Sequence, residues 1–250
     1  MTLRSTLAGA FALTAALIAA GSAAAGDDLA GIKSVAIVSA IGDTVTLADA
    51  NEGGGFFNAV DPQRIDSESW GIDNAVTKQI ADAIRGRFTV KTVAYDRTAF
   101  TRIPWSPIPN RQAPVDKQLR ALANPGADAY FVVSKMQIAD AVGHAGPNQS
   151  GLGLARESGG MFSSDTITMY AIYTIRVIDA RTFETLETEG AHLPKTGLLP
   201  RVPIVEVDES LWPGRANDVT PAKEAAIKTK MMALVHESIA STLHYMDLAP

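Results

Sequence analysis

A single α/β domain built on a mixed β-sheet is the fold that this chain of 250 residues predicts. Three observations carry that expectation. Two near-continuous apolar runs, residues 32–41 and 129–138, have the character of strands buried on both faces. Apolar stripes at helical spacing lie between and after them. No hydrophilic linker, internal repeat or extended heptad pattern divides the chain. The composition, 46% hydrophobic and 20% charged, is that of a globular protein.

The elements follow in order. Residues 1–25 read as a secretory leader, with Arg4 as a short positive region, an apolar run of 14 residues from Leu7 to Ala20, and Ala23 and Ala25 at the small-residue positions of a cleavage site. Spanning a bilayer takes about 20 apolar residues, so the run predicts removal after Ala25 rather than an anchor. The mature chain, 26–250, is then expected to hold the single domain, with no membrane span. Strands are expected at 32–41 and 44–49. They are read as a pair, because Gly42-Asp43 fits a two-residue type II′ turn. Ile72, Val76, Ile80 and Ile84 mark a helix over about 69–87, with Asp66, Ser67 and Glu68 placed to cap it. Residues 88–95 return to strand character.

Four prolines make 103–114 irregular. Val115, Leu119 and Leu122 predict a short amphipathic helix, and 129–138 a second buried strand. Residues 139–164 are read as a long Gly-rich loop. Alternation over 166–178 predicts a strand with Met169, Ala171, Tyr173, Ile175 and Val177 on one face and Thr168, Tyr170, Thr174 and Arg176 on the other. Residues 183–188 return beside it, and 190–219 is a further irregular stretch with four prolines. Thr220-Pro221 opens a last helix to about Tyr245. The order is β-β-α-β-α-β-β-α.

This layout resembles a group of bacterial envelope accessory proteins, the CsgG-type and LpoB-type domains and the amino-terminal domain of TolB-like proteins. The resemblance lies in a buried first strand (Ser34 to Val38), a following helix (Val76 to Ile80) and a strand at Asp128 to Val133. The hairpin at Ile175 to Thr182 and the closing helix at 221–245 complete it. It implies a non-catalytic domain that binds another envelope component. The chain departs from lipoprotein relatives in having no cysteine for a lipid.

The chemistry open to the chain is narrow. Without cysteine there are no disulfides, thiolate metal sites or thiol catalysis. With 22 basic and 27 acidic residues, the formal charge of −5 and the lack of a basic stripe give no reason to bind nucleic acid. Of the four histidines, His144, His192, His236 and His244, the last two stand eight apart on the last helix, about 12 Å, too far to share a metal. Gly151-Leu152-Gly153-Leu154-Ala155-Arg156 starts like a dinucleotide fingerprint but carries Arg156 at the third glycine. Ser158 lacks the strand-to-helix elbow of a serine hydrolase. Glu206, Asp208, Glu209 and Asp218 are read as a solvated acidic surface. No catalytic, cofactor-binding or metal-binding residue is assigned.

The irregular stretches hold the stronger hint. Trp105 sits among prolines, and Leu198, Leu199 and Trp212 lie in a segment without regular periodicity. They are candidates for a partner surface, with Trp212 expected to be the more structural tryptophan. The function expected is that of an exported periplasmic or secreted bacterial protein, not an enzyme, that binds a protein or other envelope partner without a cofactor. The alternatives are a periplasmic hydrolase whose acid and base meet only in three dimensions, and an oligomerising structural subunit.

Overall fold

The computed structural model describes residues 29–49, 63–101, 113–122, 126–138, 149–157, 164–194 and 201–249. The first elements are β1 (Ser34–Ala40), β2 (Thr44–Asp49), β3 (Gln63–Asp66), α1 (Ile72–Ile84), β4 (Thr89–Lys91), α2 (Arg97–Thr101) and α3 (Ala113–Ala121). They are followed by β5 (Ala129–Lys135), β6 (Gln137–Ile138), β7 (Gln149–Glu157), β8 (Thr166–Asp179), β9 (Thr185–Gly190), β10 (Ile204–Val207) and α4 (Pro221–Tyr245). This is the mixed α/β architecture expected, a curled sheet with helices packed against it, although several strands pair differently from the expectation.

β1 and β2 do not form a hairpin. They run on from one another as two parts of one bent lane: β1 lies parallel to β4 and β5, whereas β2 pairs antiparallel with β3 and parallel with β7. β8 spans the whole sheet. From Tyr173 onward it pairs with β5 and β9, and up to Ile172 it pairs with β7 and β10. The ten-stranded sheet therefore consists of two halves, β4-β1-β5-β8-β9 and β3-β2-β7-β8-β10, sharing β8 and meeting at a crease, with the short β6 added beside β7. The crease passes through Ile41-Gly42-Asp43 in one lane and between Ile172 and Tyr173 in another.

The 139–164 stretch, expected as loop, contains β7, and 190–219 contains β10. Residues 113 and 114 belong to α3, and α2 was not anticipated. The glycines of β7 have a packing cause. Gly153 lies opposite Tyr170 on β8, and a Cβ on Gly153 would stand 2.1 Å from Tyr170 Cζ. The phenol ring lies flat across the neighbouring strand, and only glycine leaves room for it.

One face of the sheet is covered by α1 and α4. Their stripes, Ile72, Val76, Ile80 and Ile84 on α1 and Ile227, Met231, Leu234, Val235, Ile239 and Leu243 on α4, meet Val35, Ile37, Phe131, Met169, Tyr173 and Ile175 in one core. Each such fully buried aliphatic side chain contributes roughly 1.5–3 kcal/mol. The Thr220 side chain caps α4 by accepting from Lys223 N, with Pro221 in the first turn. α1 starts later than expected, after Gly71 in the left-handed conformation and without a side-chain cap. The opposite face of the β1 half is covered by α2 and α3, with Phe100, Val115 and Leu119 against Val38, Tyr130, Val132 and Ile178. Arg176, on the expected outward face of β8, is therefore fully buried. No helix among the described residues is long and apolar enough to cross a membrane.

Candidate functional site

The connection β1-α1-β4 passes over one face of the sheet, and the return from β4 to β5 through α2 and α3 passes over the other. β4 and β5 flank β1, so the carboxyl end of β1 is a topological switch point, the place where open α/β sheets put their ligand sites. It coincides with the crease. Polar side chains from five parts of the chain gather there.

The reason is set by the main chain. Between the last β1–β5 pair at Ala40 and the first β2–β3 pair at Thr44, the backbone has left one half of the sheet and not yet joined the other. Its buried amides and carbonyls need partners. Asp73, in the first turn of α1, accepts from Ile41 N at 2.9 Å and Ser39 Oγ at 2.7 Å through Oδ1, and from Gly42 N at 3.2 Å through Oδ2. Ser67 donates its amide to Asp43 O at 2.9 Å and its hydroxyl to Gly42 O at 3.1 Å. Lys135, at the end of β5, pairs with Asp43 and donates to Thr44 Oγ1 at 3.1 Å. Gly42 is required by the close approach of α1, because a Cβ would stand 2.7 Å from Ile72 Cβ.

Tyr95 completes the arrangement. β4 pairs with β1 only as far as Ala36. Beyond that, the Tyr95 hydroxyl accepts from Ser39 N at 2.9 Å and donates to Ser39 O at 2.8 Å, standing in for a missing strand residue.

Burial dominates the electrostatics of Asp73. It raises the carboxyl above the ordinary aspartate range, while the bonds from Ser39, Ile41 and Gly42 and the charge of Arg97 pull the other way. Ser39 and Asp73 have the spacing of a nucleophile and its base. Their exposures of 0% and 5% leave no opening for a substrate. Chemically, the arrangement is a clamp on the main chain.

A second acidic pair lines a surface cleft with Gly31, Ile32, Arg181 and Leu186. Asp128 accepts from Lys33 N, Ser34 N and Ser34 Oγ; Asp179 accepts from Arg181 N and Thr182 N. Main-chain donors hold both carboxyls below the ordinary range, those of Lys33 and Ser34 for Asp128 and chiefly that of Thr182 for Asp179. These acids too are committed to the backbone.

The residues singled out in the sequence are scattered. Trp105, Leu198, Leu199 and His144 lie outside the described residues. Trp212 is half-buried against the main core, and its carbonyl accepts from Lys223 Nζ at 2.7 Å. His236 and His244 are exposed. His192 lies 2.5 Å from Glu189 Oε1 and packs its ring on Tyr245. Glu206, Asp208, Glu209 and Asp218 are exposed, and among the described residues no three His, Asp or Glu side chains group to hold a metal. Ser39, Asp73, Tyr95 and Lys135 were not singled out in the sequence. The one local signal, a Gly-Asp following a buried run, fits a hairpin equally well.

No family model matches the chain, and no curated protein matches it. Among solved structures, it is similar to a Helicobacter pylori protein named as a homolog of neuraminyllactose-binding hemagglutinin, with 9% identity, a TM-score of 0.35, and coverage of 86% of this chain and 82% of that one. It is similar also to a hypothetical protein from Chlamydia trachomatis, with 11% identity, a TM-score of 0.28, and coverage of 84% and 99%. At these scores neither likeness bears on function.

Proposed function

We propose that the chain is an exported bacterial envelope protein that binds a protein or other envelope partner and carries no catalytic site of its own. The observation that carries this reading is the commitment of the switch-point side chains. Asp73, Ser67, Tyr95 and Lys135 spend their hydrogen-bonding capacity on the main chain or on close neighbours at the crease. A side chain locked to a backbone amide in the resting fold is a poor general base, because taking a substrate proton would strand that amide. The residues rigidify a scaffold, and a rigid scaffold suits the presentation of loops to a partner.

Export is supported by the leader pattern at 1–25. It is supported also by the position of Leu29, a core residue four positions after the expected cleavage point, so removal of the leader spares the core. The envelope-accessory resemblance supports the partner class. The test is affinity capture from envelope extract with residues 26–250 as bait, alongside a Trp105→Ala, Trp212→Ala double variant shown by melting to be folded. A specific captured component, weakened by about thirtyfold in the double variant, is the expected result for an aromatic hot spot costing roughly 2 kcal/mol. Turnover of a generic ester, peptide or glycoside substrate by the bait would overturn the non-catalytic reading.

A further inference from the structure

β3 is the outermost strand on its side of the sheet, and the loop at 212–220 that leads into α4 is fastened against it. Lys223 Nζ donates to the Trp212 carbonyl at 2.7 Å, and Ala216 N donates to the side-chain oxygen of Gln63 on β3 at 2.8 Å. Asp218 N donates to the Arg215 carbonyl at 3.0 Å, while Trp212, Ala216 and Val219 pack against the main core. Gly214, with φ of 82°, turns the chain just before Arg215 in a conformation that favours glycine. The main chain that carries Arg215 and Asn217 is therefore fixed. So is that of Arg64, which stands opposite Thr46 of β2. The two arginines, rooted on different elements, line one surface cleft of about 470 Å³ together with Gln63, Ala216 and Asn217.

The charge in this cleft is uncompensated. Arg85, Arg156 and Arg181 each have a carboxylate partner. Arg64 and Arg215 are exposed, and among the described residues neither makes an ion pair or a hydrogen bond. No carboxylate lines the cleft among the described residues, and Asp66, two residues along β3 from Arg64, gives an oxygen to Glu68 N. In a chain with a formal charge of −5, this is a local concentration of positive charge. An anion placed between the guanidiniums would be attracted by both and would relieve their mutual repulsion.

The donors select the kind of anion. A guanidinium presents its N–H groups as a fork, and a single fork already satisfies both oxygens of a carboxylate. Two forks, the Asn217 side-chain amide and the Gln63 amide nitrogen, whose oxygen is taken by Ala216, offer more donors than a carboxylate can use. A tetrahedral phosphate has oxygens for both forks and for an amide. The cleft volume falls in the range of small-molecule sites, about 300–1,000 Å³, so the phosphate can carry an organic group. We propose that the cleft between β3 and the loop before α4 binds a phosphate group, with Arg64 and Arg215 clamping its oxygens and Asn217 donating a further hydrogen bond. This adds a ligand to the partner binding proposed above and does not rest on it.

Two arms at low salt test the site on the chain from Gly26 onward: calorimetric titration with inorganic phosphate, and co-flotation with phosphatidylcholine vesicles that contain or lack phosphatidic acid. Phosphate-dependent binding is expected in at least one arm. It should weaken as salt rises and fall about tenfold in each of Arg64→Ala and Arg215→Ala, with Tm unchanged. Binding of inorganic phosphate without the vesicles assigns a free phosphate ester, and preferential binding of the phosphatidic acid vesicles assigns a lipid headgroup. Acetate, titrated in the same way, should bind at least about tenfold more weakly than phosphate. If Arg64→Ala lowers Tm through its strand, Arg215→Ala on the loop decides alone. Absence of binding in both arms would overturn the proposal, as would binding that survives intact in the Arg215→Ala variant or acetate that binds as well as phosphate.

Discussion

Replacing Asp73 with alanine strands two buried main-chain donors, the amides of Ile41 and Gly42, while the Ser39 hydroxyl is free to rotate toward another acceptor. A buried donor without a partner costs roughly 1–3 kcal/mol, so the pair costs about 4 kcal/mol at mid-range. Against this, the variant no longer buries a carboxylate whose desolvation is the largest influence on its titration. The net loss expected is about 2–4 kcal/mol, a large share of an ordinary domain's stability. Asp73→Asn keeps an oxygen for Ser39 and Ile41 but turns an amide toward Gly42 N, and should lose about half as much. The pH dependence separates the two effects. The unfolded carboxyl titrates near 3.8, and burial holds the folded one higher. Between those values the folded state binds more protons than the unfolded state. The contribution of Asp73 therefore falls as pH rises through that window and levels off once the folded carboxyl has ionised. Urea unfolding of wild type and Asp73→Asn at steps from about pH 3 to pH 8 reads this directly: their stability difference should narrow with rising pH above about 3.8. An alanine variant within 0.5 kcal/mol of wild type, that is, within the range of an ordinary surface change, would refute the clamp. So would a wild type and an asparagine variant with the same pH slope.

Gly153→Ala drives a methyl group into the Tyr170 ring, which is fully buried and has nowhere to turn; the expected cost of about 3 kcal/mol lowers Tm by roughly 6–12 °C, and an unchanged Tm would mean that the ring does not lie over the strand. Ile175→Asp places an unpaired carboxylate in the core shared by β8 and α4 and should cost several kcal/mol in chemical denaturation, whereas wild-type stability would show that the face is not buried. On the proposal that the chain is exported, its intact mass should correspond to a chain beginning at Gly26; retention of Met1 to Ala20 would make the leader an anchor.

The elements that proved legible are those whose cause is local. The stripe Ile72, Val76, Ile80 and Ile84 is written within one helix, and Thr220-Pro221 starts α4 by its own side chain and ring. What failed to be legible depends on residues far apart in sequence. Gly42-Asp43 satisfies every local rule for a hairpin, but the segment is claimed by Ser67 and Asp73, which bind its backbone from 24 to 31 residues away. β7 reads as loop because Gly151 and Gly153 are poor strand formers, and the reason for Gly153 is a tyrosine on the next strand. Alternation along β8 separated its two faces correctly, yet only the helices on the far side show that both are inside, which is why Arg176 passed for a surface residue.

The crease shows how these failures share a cause. A strand lane that changes partners midway must leave several main-chain groups unpaired, and burial makes each of them costly. The polar residues that answer the need, Ser39, Ser67, Asp73, Tyr95 and Lys135, are drawn from β1, the turn before α1, α1 itself, the segment after β4, and β5. None is unusual for its local element; a serine in a strand or an aspartate in the first turn of a helix is ordinary. Their meaning lies in a need created by topology, because the strands on either side of Gly42 pair with different neighbours. The same need explains why a switch point, the usual seat of a ligand site, is filled here from within. Side chains that would otherwise face a ligand are turned inward to finish the sheet.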